Sequence, residues 1–133
     1  MATVNAKIDI SSDITSPGST FSLSNNNNLK KAGNETGLDT IISATKTFTS
    51  TSTVDLIAVT GYTADAANKV YIANTSGDNV TTEYFTIAVE SEEVGRLYGG
   101  EWMFFPWAAD TDDDVTITPS VATTMTAEYI VFS

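Results

Sequence analysis

Val4, Ala6, Ile8 and Ile10 occupy alternate positions, with Asn5, Lys7 and Asp9 between them. Successive side chains of a strand point to opposite faces, so this two-residue period predicts a half-buried strand. The alternation returns at 83–90, where Phe85, Ile87 and Val89 face one way and Tyr84, Thr86 and Ala88 the other, and again over 125–132. Residues 54–60 are instead apolar at nearly every position, as in a strand covered on both faces. Shorter strands are predicted around Phe21 and Leu23, over 45–53 and 69–73, at 96–98, and at 115–117, which Pro119 closes. Ser16-Pro17-Gly18, Gly61, 74–79 and 110–114 supply turns. Asn25 to Asn28 predict a loop, because Asn side chains compete for backbone hydrogen bonds. Leu29 to Ala32 predict one helical turn, stopped by Gly33. Roughly eight to ten short strands with turn signals between them, and no long helix, predict an all-β fold, an antiparallel sandwich or barrel.

One segment departs from simple alternation. Five of the thirteen aromatic residues, Tyr98, Trp102, Phe104, Phe105 and Trp107, lie within ten positions of one another. Burying a large apolar side chain is worth roughly 1.5–3 kcal/mol, so five left in water would forfeit on the order of 10 kcal/mol. Strand alternation places Trp102 and Phe104 on one side, and Met103, Phe105 and Trp107 on the other. One side is expected to form the domain's own core and the other to meet a partner. Met103, Phe105 and Trp107 are the interface candidates here, and Val4, Ala6, Ile8 and Ile10 are those at the N-terminus.

Length and composition narrow the possibilities. At 133 residues the chain is expected to form a single domain over 1–133, with 1–14 as an N-terminal arm or edge strand. It holds no Cys and no His, which removes disulfides, thiolate metal sites and every imidazole-activated nucleophile. Six basic residues stand against seventeen acidic ones, a net charge of −11. Up to residue 66 there are four Lys against six acids, net −2; beyond it Lys69 and Arg96 face eleven acids, net −9. Such a surface repels nucleic-acid phosphates and anionic lipid, so neither is expected as a partner. No leader is expected, since 4–10 alternates where a signal peptide would run apolar.

Candidate chemistry is sparse. Asp110, Asp112 and Asp114, with Asp113, offer the oxygens that calcium needs, although Val115 and Val121 stand where an EF-hand loop places Gly and Glu. A solvated loop between strands is the simpler expectation. Glu101 precedes Trp102, and a carboxyl in an apolar pocket beside Trp is one way to raise a general acid's pKa. On a strand, however, those neighbours point apart. No enzymatic activity and no cofactor are expected. Trp102, Trp107, Tyr98 and Tyr62 would suit sugar stacking if exposed, and a core if not.

Three segments of the second half resemble small virion proteins of tailed bacteriophages: 69–76 (KVYIANTS), 94–101 (VGRLYGGE) leading into Phe104-Phe105-Pro106, and 127–132 (AEYIVF). The resemblance spans about the last half of the chain and rests on loosely specified patterns. It implies a jelly-roll-like β-sandwich, with Gly100 as the turn residue before the aromatic strand. It further implies a capsid decoration (cement) protein that bridges major capsid subunits, works as a homo-oligomer with the trimer favoured, and resides in virions assembled in the bacterial cytoplasm. A tail-associated receptor- or glycan-binding module is the alternative.

Overall fold

The computed structural model describes residues 3–16, 19–31, 37–77 and 82–133. These form ten strands: β1 (Asn5–Ser16), β2 (Ser19–Asn28), β3 (Ile41–Phe48), β4 (Val54–Ile57), β5 (Asn68–Asn74), β6 (Tyr84–Val89), β7 (Glu92–Tyr98), β8 (Trp102–Trp107), β9 (Val115–Pro119) and β10 (Met125–Phe132). No helix occurs among the described residues. β1 and β2 pair alone, while the other eight divide into two antiparallel sheets ordered β3-β10-β5-β8 and β4-β9-β6-β7. The result is an all-β antiparallel sandwich carrying a separate hairpin.

The pairing has a simple logic. β6 pairs β7, β5 pairs β8, β4 pairs β9 and β3 pairs β10. The chain therefore folds back on itself as one long ribbon, whose successive rungs go alternately to the two sheets. Two further pairings, β10 with β5 and β6 with β9, stitch the rungs within each sheet. At the ribbon's bend, Glu90 and Ser91 both have positive φ (50° and 66°) in the two-residue turn between β6 and β7. That geometry normally selects Asn-Gly.

The core lies between the sheets. Val70, Ile72, Val131, Met125 and Ala127 from one sheet meet Phe85, Ile87, Val115 and Ile117 from the other, all fully withdrawn from water. Phe48 closes edge-on against Phe85, ring centroids 5.2 Å apart. Each of these residues stands at alternate positions of its strand, which is why the alternation was readable.

Several expectations are corrected. Asn25 to Asn28 belong to β2, not to a loop, because β1 supplies a complete ladder opposite them, and the Asn5 amide donates across it to Asn28 Oδ1 at 3.1 Å. Leu29 and Lys30 are irregular and Lys31 forms an isolated bridge, so no helical turn forms there. The Ser/Thr-rich strand begins at Ile41 and ends at Phe48, earlier than its composition suggested. The turn at Pro17-Gly18, the stop at Ala32-Gly33 and the Asp78-Asn79 end of the turn after β5 lie outside the described residues.

Candidate functional site

Residues paired across an antiparallel ladder share a face, so the register assigns both outer surfaces. On the β4-β9-β6-β7 sheet the outer rows are Tyr84 and Tyr98, then Thr118, Thr86 and Arg96, then Asp55, Thr116, Ala88 and Glu93. Tyr84 and Tyr98 lean together with ring centroids 5.2 Å apart and Arg96 lies over the Tyr84 ring, while Thr and charged groups fill the other rows. The outer face of β3-β10-β5-β8 is more apolar. There Phe104, Tyr71 and Ile130 form one row, Trp102 and Ala73 sit beside them, and Phe132 pairs with Ile41. Trp102 is 53% exposed, Phe104 37% and Ile41 63%. Tyr71 and Trp102 lean together with ring centroids 6.1 Å apart, tilted by 32°.

The turn before β8 and its contact with β5 hold Trp102 outward. Gly100 has φ 82°, allowing a tight turn in which the Glu101 amide donates to the Tyr98 carbonyl at 2.9 Å. Asn74 and Glu101 exchange backbone contacts with that turn: Gly100 N donates to Asn74 O and Asn74 N to Glu101 O, each at 2.9 Å. These bonds fix the parity of β8. Pro106, which cannot donate to a ladder, is accommodated because β8 is an edge strand.

The hairpin stands against this same face. Ala6, Ile8 and Ile10 pair with Asn27, Asn25 and Leu23 and form its apolar side. Between hairpin and sheet runs a groove of about 550 Å³, lined chiefly by Ala6, Ile8, Leu29, Tyr71, Trp102 and Phe104. Leu29 N donates to Val4 O at 2.8 Å and closes the hairpin's own base, which the Lys69 ammonium ties to the sandwich by donating to the Lys30 carbonyl at 2.8 Å as well as to that of Ala67. Lys69 is 8% exposed, and burial lowers its pKa below the usual lysine value. Further along the hairpin the cover thins. Val4 and Ala6 are half-buried, whereas Ile8 is 37%, Leu23 43% and Ile10 45% exposed.

The residues expected at an interface on β8, Met103, Phe105 and Trp107, face inward instead. Met103 and Phe105 pack against the core, and Trp107 is buried within it. Its indole N–H donates to the Asp113 carbonyl at 2.8 Å, and its ring meets Tyr62 edge-on at 5.1 Å. Trp102 and Phe104 are the uncovered pair. The choice between the two halves is made by β5, whose inward Val70 and Ile72 face Phe105 and Met103 across the ladder. Sequence alternation defines the two halves but not the pairing that chooses between them. The N-terminal candidates Val4, Ala6, Ile8 and Ile10 do share one apolar side, as expected, on a strand of an intrachain hairpin.

The acidic candidates are occupied with local structure. Asp114 Oδ1 accepts from Val59 N at 2.7 Å, Asp110 Oδ1 from Thr111 N at 2.7 Å and Asp113 Oδ2 from Asp110 N at 3.3 Å; Asp112 takes φ 72°. Among the described residues no group of three or more acids converges as a metal site requires. Glu101 is exposed, its carboxylate accepting from Tyr98 N at 2.8 Å, and so it lacks the apolar pocket that a general acid beside Trp requires. The hydroxyls nearest Trp102 are likewise engaged, with Thr75 and Ser76 both donating to the Thr126 carbonyl. Among the described residues no helix is long and apolar enough to cross a membrane. Comparison of the chain with protein-family models, curated proteins and solved structures finds no match.

Proposed function

We propose that this chain is a structural protein of a tailed-phage virion, a decoration protein that binds the shell and bridges major capsid subunits. One observation carries the reading: an uncovered face of Trp102, Phe104 and Tyr71, with a hairpin arm standing over it. Such an arrangement supplies contact area without a reactive group, as a protein that acts by adding weak contacts over many copies requires. The ribbon winding, with β3-β10-β5-β8 over β4-β9-β6-β7, supports a jelly-roll reading, a fold frequent among capsid domains. The phage-like segments 69–76 and 94–101 fall on β5, which carries Tyr71, and on β7 with the turn that leads into Trp102.

The test is to mix the full chain with undecorated capsids of the matching phage and image the particles. Ordered density at symmetry-related positions is the expected result. Absent or randomly placed density overturns the reading. A tail-associated glycan-binding module is the second reading, favoured only by the exposed Trp102 beside Tyr71. Binding on a glycan array that is lost in Trp102→Ala and unaffected by capsids would establish it instead.

A further inference from the structure

We infer that β3 pairs edge to edge with β3 of a second copy of this chain, antiparallel about a two-fold axis, so that two four-stranded sheets run together as one. The inference goes beyond the decoration role and does not depend on it. A sheet edge presents unpaired backbone N–H and C=O groups, and proteins guard such edges with Pro, charge, short strands or bulges. The edges of the sandwich are β3, β8, β4 and β7. β8 carries Pro106, which has no N–H to offer. β4 is four residues long, holds Asp55 and is interrupted by a register shift. β7 carries Glu92, Glu93 and Arg96, and its ladder with β6 also shifts. β3 is the exception. Its eight residues run in unbroken register with β10, and Ile41 and Ile42 are 63% and 43% exposed. Its one charge, Lys46, lies over the Phe48 ring at 5.8 Å from the centroid. β2 of the hairpin has a free side as well, but it belongs to a two-stranded ladder broken by a register shift, whereas β3 is held straight by a four-stranded sheet.

The free groups follow from the ladder. Thr40 and Ser133 exchange both backbone bonds at 2.9 Å, so Ile42, Ala44, Lys46 and Phe48 point their N–H and C=O at β10. Those of Ile41, Ser43, Thr45 and Thr47 point the other way, and among the described residues no strand pairs with them. An antiparallel copy that sets Ile41 against Thr47 and Ser43 against Thr45 uses all of them. Ala44 then meets its own counterpart on the axis, and Lys46 meets Ile42 instead of another Lys. Copies of net charge −11 repel wherever acids meet, and β3 holds no acid. Asp39, just before the strand, falls at opposite ends of an antiparallel pair, and Glu128 stands one strand further in. Each sandwich has one unguarded edge, so the assembly closes at two.

Sedimentation of the parent at high micromolar concentration should give twice 14.1 kDa. Thr45→Pro removes a free donor and leaves the bonds to β10 in place, so it should give 14.1 kDa with an unchanged circular dichroism spectrum. Ile42→Lys sets like charges against Lys46 on both sides of the axis and should weaken the dimer about tenfold, whereas Ile42→Glu sets an acid against Lys46 and should not. Repulsion between net charges predicts the reverse order, and finding that order overturns the inference. The chain has no Cys, so Ala44→Cys should oxidise to a covalent pair under conditions in which Val94→Cys, 51% exposed on β7, stays single. Equal yields from the two, a parent that sediments as one chain, or a Thr45→Pro variant that still pairs overturns the inference as well.

Discussion

Trp107 and Trp102 lie on the same strand five residues apart, yet they should respond very differently to truncation. A buried Trp withdraws roughly 150–250 Å² from water, worth about 4–6 kcal/mol at 25 cal/mol per Å². Trp107 is 2% exposed and also satisfies the Asp113 carbonyl, a hydrogen bond worth about 1 kcal/mol net. Alanine retains its Cβ and the site partly relaxes, so Trp107→Ala should cost about 4 kcal/mol, within the measured span for such truncations. Trp102 is 53% exposed, makes no comparable hydrogen bond and sits at an edge, which brings Trp102→Ala down to about 1–2 kcal/mol. Urea unfolding of both variants, followed by far-ultraviolet circular dichroism, separates the two cases. With a slope of about 2 kcal/mol per molar urea, Trp107→Ala should lower the midpoint by about 2 M and Trp102→Ala by less than about 1 M. Concentrations must be low enough that association contributes nothing. Equal losses, or a larger loss at Trp102, would refute the assignment of Trp107 to the core and with it the parity of β8.

Replacing Glu90-Ser91 with Asn-Gly relieves two left-handed backbones and should stabilise the domain by about 1 kcal/mol, raising Tm by about 4 °C in calorimetry; a fall in Tm counts against that turn geometry. Burial lowers the Lys69 pKa, so in the alkaline range below pH 10.5 the unfolded chain binds more protons than the folded one. Relative to Lys69→Met, the parent should therefore gain stability as pH rises through that window, and a loss over the same range contradicts the buried ammonium. Asp9 has the same sign in the acid range: Ser24 and Lys7 hold its carboxyl below the usual value of 3.8, so its contribution is present above that pH and disappears as acid protonates it. Amide exchange should show β1 and β2 losing protection before the sandwich on acidification. Asp114→Ala leaves the Val59 N–H without its acceptor and should cost about 1–2 kcal/mol, measured by urea unfolding, with added calcium changing neither variant.

The sequence-level reading located the strands that alternate cleanly, and it did so for a physical reason. β6, β9 and β10 each bury one side against the opposite sheet, and Phe85, Ile87, Ile117 and Met125 record that period directly. It did less well where partners override composition. Asn25 to Asn28 look like a loop alone, and become strand because β1 completes their ladder. Thr49 to Thr53 look like strand, yet β3 ends at Phe48, the last residue whose ladder partner on β10 is in register. The exposed aromatic face had the same difficulty. Alternation separated Trp102 and Phe104 from Met103, Phe105 and Trp107, but the side that faces out depends on which strand lies beside β8. That pairing joins residues some thirty positions apart in the chain, and no local period encodes it.

The ribbon that winds into two sheets also sets a timetable. Its innermost rung, β6 with β7, closes a two-residue turn, while its outermost, β3 with β10, joins Ile41 to Phe132. Loop-closure entropy makes the inner rung cheapest to form, and each later rung needs only a short additional loop once the one before it is in place. Folding should accordingly spread from the Glu90-Ser91 bend outward, at the slow rates typical of β-domains dominated by long-range pairs. Substitutions in β6 and β7 then slow folding, whereas those at the β3–β10 end mainly speed unfolding. The aromatic face begins with the second rung, where β5 and β8 bring Tyr71, Trp102 and Phe104 together, and the outermost rung only extends it with Ile41 and Phe132. A chain that folds in this order carries its exposed aromatics from an early stage, before β3 and β10 close the sandwich.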